Sequence, residues 1–131
     1  MAVPLSSNMC YSINYFPTAR GFMFELIPSG TISSAKGILA GAIHAGIKTK
    51  DELDLAILYS EMPCIAGGVF TSNRIKSAPV ILSQRHLSRR KAQAIVVNSG
   101  CANACVGEQG IADASEMASL TGRKLAIRAE D

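Results

Sequence analysis

The chain has 131 residues, of which 48% are hydrophobic and 18% are charged, a composition typical of one globular domain and unlike that of a disordered chain. Its net charge of +3 is local, because Arg85, Arg89, Arg90 and Lys91 together carry +4. No aromatic residue within residues 84–93 offers a stacking surface to a base. We therefore expect this run to be a solvated segment and the protein to have no nucleic-acid partner, with a phosphate-binding patch as the alternative.

The four cysteines occur without a secretory signal, since the first residues lack a basic cluster followed by a long apolar core. Reduced thiols and a cytoplasmic location are the expectation. The apolar stretches are shorter than the roughly 20 residues that a membrane helix needs, so we expect no membrane partner.

Three segments in the first half of the chain are predicted as strands. From Gly37 to Lys48, small residues alternate with Ile and Leu, as in a strand that lies close to a neighbouring backbone. Leu55 to Ser60 and Ile65 to Phe70 are two further apolar runs, separated by the turn-prone residues 61–63. Because strands with so short a connection are usually antiparallel, we expect that arrangement for these two.

The second half of the chain combines helix and strand. Ala78 to Gln84 is predicted as a strand or a short helix, and Pro79 disfavours a central strand there. Ala94 to Val97 is typical of a buried strand, and helical spacing of apolar residues predicts a helix from about Glu108 to Thr121. Gly122 either caps this helix or is followed by more helix after a kink. The pattern predicts an α/β layered domain.

The most informative segment runs from Val96 to Gly110 and reads VVNSGCANACVGEQG. It places small residues and turn formers between the last predicted strand and the last predicted helix. Such a loop directs the unpaired N–H groups of the first helical turn at whatever lies in front of them, and it favours a negative charge there. It therefore predicts an oxyanion site made by the backbone.

This segment closely resembles the loop VVNSGNANACTGEQG of the ornithine acetyltransferase family, the bifunctional glutamate N-acetyltransferases of arginine biosynthesis. The resemblance extends in the same order over most of residues 27–131. Besides the loop, it is carried by Ile27–Lys48, Asp54–Leu87 and Glu108–Asp131.

The resemblance implies a layered αββα-type sandwich that is incomplete in this chain, with residues 27–131 forming the N-terminal part of the acetyltransferase α-chain domain. Residues 1–26 do not resemble the family. Two interpretations of them stay open: an extra, partly disordered N-terminal arm, or an incorrect start with translation beginning at Met23.

The resemblance also implies an activity, the transfer of acetyl from N-acetylornithine to glutamate, with acetyl-CoA as a possible further donor and without a cofactor or metal. In the family, self-cleavage frees a threonine of an ATGVIG-like motif, and its α-amine then acts as the base for its own hydroxyl. The threonines of this chain lie outside such a motif: Thr18, Thr31, Thr49, Thr71 and Thr121. We expect this chain alone to be inactive and to need the β chain, in an enzyme that is oligomeric when complete.

The oxyanion hole is the part of the family's catalytic site that the chain contains. The family uses a Thr-Gly step, which corresponds to Val106 and Gly107 here. Gly107 keeps the backbone donor, whereas Val106 has no hydroxyl, and Cys101 replaces an asparagine of the family loop. For Val106, packing at the entrance of the helix is an equally good interpretation.

Other interpretations carry less support. A non-catalytic relic that acts at most as an interaction module is the alternative function. Cys101 is a possible thiol nucleophile with His44 or His86 as base, although small-residue packing is favoured, and Cys101 with Cys105 is too small a set for a metal. Arg74 or Lys76, on the loop from residue 71 to 76, is a candidate partner for a substrate carboxylate.

Overall fold

The computed structural model describes residues 27–131, and the N-terminal arm predicted for residues 1–26 lies outside them. A short 3-10 turn at residues 32–34 precedes three strands and two helices. These are β1 (Ile38–Ile43), β2 (Leu55–Ile65), α1 (Ala78–Leu87), β3 (Lys91–Asn98) and α2 (Gly107–Leu125). The predicted α/β class is confirmed.

The strands form one antiparallel sheet in the order β1-β2-β3. Ile43 at the end of β1 pairs with Leu55 at the start of β2, and Leu55 pairs on its other side with Asn98 at the end of β3. The loop after β1, the residue before β2 and the small-residue loop after β3 therefore lie together at one end of the sheet. The expected strand from Gly37 to Lys48 is shorter than predicted, because the chain leaves the sheet at Ile43.

β2 continues through the position where the sequence predicts a turn. Tyr59 pairs with Ala94 and Cys64 pairs with Ala92, so residues 60–63 bulge outward opposite a single residue of β3. The Ser60 hydroxyl donates to the Met62 carbonyl at 2.6 Å inside the bulge. A bulge tolerates proline, which has no N–H for the strand ladder. The prediction of two strands at 55–60 and 65–70 is therefore wrong, and residues 66–70 are irregular.

Both helices lie near β3, and small residues join them. α1 is a helix and not a strand, with Pro79 in its first turn, where its missing N–H costs no hydrogen bond. A Cβ on Gly110 of α2 would stand 3.3 Å from Cβ of Ala78 in α1, so the helices approach closely. α2 faces the sheet through Met117, which lines one cavity together with Ile57 and Val96.

α2 continues past its predicted end. Gly122 is a buried residue inside the helix, and Ala126 takes the left-handed cap conformation with φ of 56°. The chain then turns back across Gly122, where a Cβ would stand 3.0 Å from the Ile127 oxygen and 3.1 Å from the Ala129 nitrogen. The glycine is needed for this crossing. Of the two interpretations of Gly122, the cap is wrong, whereas the helix does continue, as far as Leu125.

The interior of residues 27–131 is small. Within this range the buried hydrophobic residues are Ala78 and Ala114. Ile95 and Val97 alternate with the helix-facing Val96, so they lie on the opposite face of the sheet, and they are 57% and 54% exposed. Across residues 27–131, neither helix is sufficiently long and apolar to cross a bilayer.

Candidate active site

The loop between β3 and α2 begins against the loop that follows β1. Ser99 N–H donates to the Asp54 carbonyl at 2.9 Å. Gly100 follows with φ of +107°, and a Cβ there would stand 2.7 Å from Cγ of Lys48. Both the backbone conformation and the close neighbour require glycine at this position.

The start of α2 has an unusual backbone. The φ angle is +61° at Cys105, −93° at Val106 and +62° at Gly107, the first helical residue. Alternation between right- and left-handed conformations turns successive N–H groups toward one side, and such concavities bind anions. Apart from the neighbouring residues and the backbone of α2 itself, no atom of residues 27–131 lies within 4 Å of the position of a Cβ on Gly107.

Val106 precedes the helix and packs on it. Its Cγ2 atom occupies the space where Gly110 would carry a Cβ, one turn further along. The residue is still 45% exposed. The alternative interpretation, a packing residue at the entrance of the helix, therefore holds for its contact with Gly110 but not for its burial. Its side chain has no polar atom and makes no cap hydrogen bond to the first turn of α2.

A cavity of about 530 Å³ lies beside this turn. This volume falls in the range of small-molecule sites. One wall carries Asp113, whose carboxylate accepts a hydrogen bond from the Gln109 side chain at 2.7 Å. The lining includes Pro79, Asn98, Cys101, Asn103, Val106 and Met117.

Asp54 is the polar residue that sequence reasoning missed. It is 2% exposed. One carboxylate oxygen accepts the N–H of Ala45 at 2.6 Å, and the other accepts those of Ile47 and Lys48 at 2.7 and 2.9 Å. His44 lies 3.4 Å from the second oxygen. The sequence offers little signal for this site, because the donors are backbone groups that any residue provides.

These contacts hold the pKa of Asp54 below its ordinary value of 3.8. The largest cause is the hydrogen bond from Lys48 N–H, which stabilises the carboxylate. Burial acts in the opposite direction, and the N–H groups of Ala45 and Ile47 and the nearby His44 lower the pKa further. Asp54 is therefore an ionised group inside the protein, compensated mainly by backbone donors.

Comparison with known proteins decides the family of this chain. The model of the ArgJ family matches residues 39–131. The chain belongs to the ArgJ family. It is 52% identical over 109 residues to the arginine biosynthesis bifunctional protein ArgJ of Dehalococcoides mccartyi, covering 82% of this chain and 27% of that protein. With the ArgJ protein of Caldanaerobacter subterraneus it shares 50% identity over 105 residues, covering 80% and 26%. The chain thus spans about a quarter of these relatives, and the predicted membership of the ornithine acetyltransferase family is confirmed.

Solved structures of ArgJ proteins have the same fold. ArgJ from Bacillus halodurans is similar with a TM-score of 0.74 and 37% identity, covering 77% of this chain and 53% of that one. Ornithine acetyltransferase from Mycobacterium tuberculosis, solved with ornithine, gives a TM-score of 0.70 and 40% identity, covering 72% and 50%. The sheet and two helices described above form part of that domain.

The cysteine hypotheses gain no support from the structure of this ArgJ chain. Cys101 and Cys105 are exposed, against the expected small-residue packing. His44 Nδ1 lies 3.0 Å from the Glu52 carbonyl and beside Asp54, while His86 lines a different cavity, between the helices and the sheet. Within the described range of 27–131, no cluster of three or more His, Cys, Asp or Glu side chains suits a metal.

The loop from residue 71 to 76 is exposed over most of its length. The Asn73 side chain accepts the N–H of Ile75 at 3.1 Å, which fixes a local turn. Lys76 Nζ lies 3.5 Å from the Gln84 side chain in α1, and Arg74 is exposed. A substrate carboxylate as partner of Arg74 or Lys76 stays a prediction.

Proposed function

We propose that residues 27–131 supply the oxyanion-binding segment of an acetyltransferase that moves acetyl from N-acetylornithine to glutamate in arginine biosynthesis. The observation that carries the proposal is the start of α2. There, Gly107 follows a small-residue loop at the positive end of a 19-residue helix, and the adjoining Val106 lines a cavity. The relatives named for arginine biosynthesis, and the relative solved with ornithine, support the substrate class.

In the proposed reaction, a threonine hydroxyl supplied by the β chain attacks the acetyl carbonyl of N-acetylornithine, and the carbonyl oxygen becomes negative. The Gly107 N–H stabilises this oxygen until ornithine leaves and the acetyl group remains as an ester on the threonine. The amine of glutamate then attacks the ester, and the same N–H stabilises the second tetrahedral intermediate. Its collapse breaks the ester C–O bond, so that N-acetylglutamate leaves and the threonine oxygen regains its proton. Acetyl-CoA is proposed as a second acetyl donor. The cytoplasm is the proposed location of the enzyme.

Val106 limits this activity. The hydroxyl expected at its position is absent, and the loss of one oxyanion donor typically lowers kcat by about 100- to 1,000-fold. The isolated 131-residue chain, which has no threonine in the required motif, is expected to show no acetyl transfer. Measurable turnover by this chain with N-acetylornithine and glutamate contradicts that expectation.

The proposal is tested in a chimera in which residues 27–131 replace the matching segment of the Dehalococcoides mccartyi protein. The chimera is expected to transfer acetyl slowly, and Val106→Thr is expected to raise kcat by about 100-fold or more with little change in KM. Val106→Ala is the matched control, because it changes the side chain without adding a donor. If a folded chimera responds equally to both substitutions, position 106 is not part of an oxyanion hole.

One observation favours the alternative of a non-catalytic interaction module. Ile95 and Val97 are each more than half exposed on the face of the sheet opposite the helices, and exposed apolar surface of this kind promotes association. Sedimentation of the isolated chain tests this function. A monomer at micromolar concentration contradicts it, and a Val97→Lys variant that abolishes association supports it.

A further inference from the structure

We propose that Asp54 is a positioning residue for the oxyanion segment, acting through the two loops that it joins at one end of the sheet. The inference deepens the proposed function and rests on it. Asp54 is 2% exposed and its carboxylate already accepts three backbone N–H groups, so it acts as a positioning residue and not as a catalytic one.

The first connection uses the backbone of Asp54. Its N–H donates to the Ile43 carbonyl at 3.1 Å, and its carbonyl accepts the Ser99 N–H at 2.9 Å. Asp54 therefore ties the end of β1 to the beginning of the loop that leads to α2. These bonds are available to any residue other than proline and do not explain an aspartate.

The second connection uses the carboxylate. By accepting three N–H groups it closes the turn from Ala45 to Lys48. That turn presents two side chains to the oxyanion segment, since Cγ of Lys48 and Cγ2 of Ile47 would stand 2.7 and 3.3 Å from a Cβ on Gly100. The carboxylate thus fixes the surface against which Gly100 rests.

The chemistry of the turn selects a carboxylate. Both oxygens of Asp54 face N–H donors, and an ionised carboxylate is the side chain that only accepts. Asparagine has the same shape, but its NH₂ group would face either the N–H of Ala45 or those of Ile47 and Lys48. Two donors facing each other in a buried site leave both unsatisfied, which opens the turn.

His44 also faces the carboxylate. Its Nδ1 atom lies 3.0 Å from the Glu52 carbonyl, and since a carbonyl only accepts, Nδ1 carries a hydrogen. The same nitrogen lies 3.4 Å from the Asp54 carboxylate. His44 is therefore held beside this group by its contact with Glu52, and the hydrogen bonds of the carboxylate come from the three backbone N–H groups.

The experiment uses NMR on the 131-residue chain. In Asp54→Asn, we expect the amide resonances of Ser99, Gly100 and Gly107 to shift. The hydrogen exchange of Ser99, whose N–H is bonded to the Asp54 carbonyl, is expected to accelerate by at least about fivefold. Asp51→Asn removes an exposed carboxylate from the same loop and is expected to leave these amides unchanged. If the three amides are unchanged in folded Asp54→Asn, the proposal is wrong.

A second variant tests the same link without touching the carboxylate. Lys48→Ala keeps the backbone bond to Asp54 and removes the side chain that rests on Gly100. We expect the amide resonances of Gly100 and Gly107 to shift, with those of Ala45 and Ile47 unchanged. This variant also decides the matter if Asp54→Asn does not fold, because unaltered resonances at Gly100 and Gly107 contradict the proposed path.

Kinetics separate positioning from a merely structural role. In the chimera carrying Val106→Thr, addition of Asp54→Asn is expected to lower kcat about 10- to 100-fold with KM little changed, since a misplaced donor affects the transition state most. An unchanged kcat overturns the positioning role. If the chimera with Asp54 intact is itself inactive, the proposed function fails, while the amide measurements still test whether Asp54 holds the loop.

Discussion

Substitution of Gly110 by alanine tests whether the start of α2 is built by packing between positions 106 and 110. The new Cβ would coincide with Cγ2 of Val106 and would also stand 3.3 Å from Cβ of Ala78. Val106 and Ala78 both have short side chains, so neither can move aside as the end of a long side chain would.

The magnitude follows from two opposing effects. Alanine is favoured over glycine inside a helix by about 1 kcal/mol. Overpacking at a contact of this kind costs about 1–3 kcal/mol, so Gly110→Ala is expected to lower the free energy of unfolding by about 1 kcal/mol. In a Val106→Ala background the clash with Cγ2 disappears and the 3.3 Å contact with Cβ of Ala78 remains, so the same substitution is expected to be about neutral.

Urea unfolding followed by circular dichroism measures all four members of this double-mutant cycle. The expected interaction energy between positions 106 and 110 is about 1–2 kcal/mol. If the effects of the two substitutions instead add within about 0.5 kcal/mol, Val106 does not pack on Gly110 in solution and the described start of α2 is wrong.

Three further outcomes are expected. The folded-state pKa of Asp54 lies below 3.8, so its contribution to stability is complete well above that pH and is lost as the pH falls through the folded-state pKa. The urea midpoints of wild type and Asp54→Asn should therefore converge toward pH 3. A constant difference between the two midpoints across this pH range contradicts the expectation. Gly122→Ala is expected to destabilise by about 1–2 kcal/mol despite the better helix propensity, because the Ile127 and Ala129 backbones block its Cβ; a rise in melting temperature refutes the crossing. Selective alkylation is expected to modify both Cys101 and Cys105 in the native chain, and protection of either in mass spectra contradicts their exposure.

The sequence identifies the small-residue loop and the helix after it because both have local signatures. Strand β3, the loop and α2 follow in the predicted order, and glycine is required at position 100, where φ is positive. The length of α2 is less predictable. Glycine has a low helix propensity, so the sequence favours an end of the helix at Gly122. The helix continues because residues 127–129 pack directly on Gly122, where a side chain would not fit.

The failures of prediction involve groups that leave no local pattern. Pro63 is typical of a turn, and only the pairing of β3 with both sides of the bulge shows that β2 continues through it. Asp54 precedes a strand like many surface acids, and its burial depends on three backbone donors from the beginning of the same loop, six to nine residues earlier. Neither feature can be read from residue types alone, because both depend on contacts between segments.

The contact between Val106 and Gly110 has a consequence for the evolution of the loop. Threonine has the branched shape of valine, so either residue fills the space above Gly110, and at 45% exposure a hydroxyl at this position can reach water. Selection for a stable fold therefore does not distinguish the two residues. A lineage can lose or regain the second oxyanion donor by a single substitution that does not change the packing. Only selection for turnover then retains the hydroxyl.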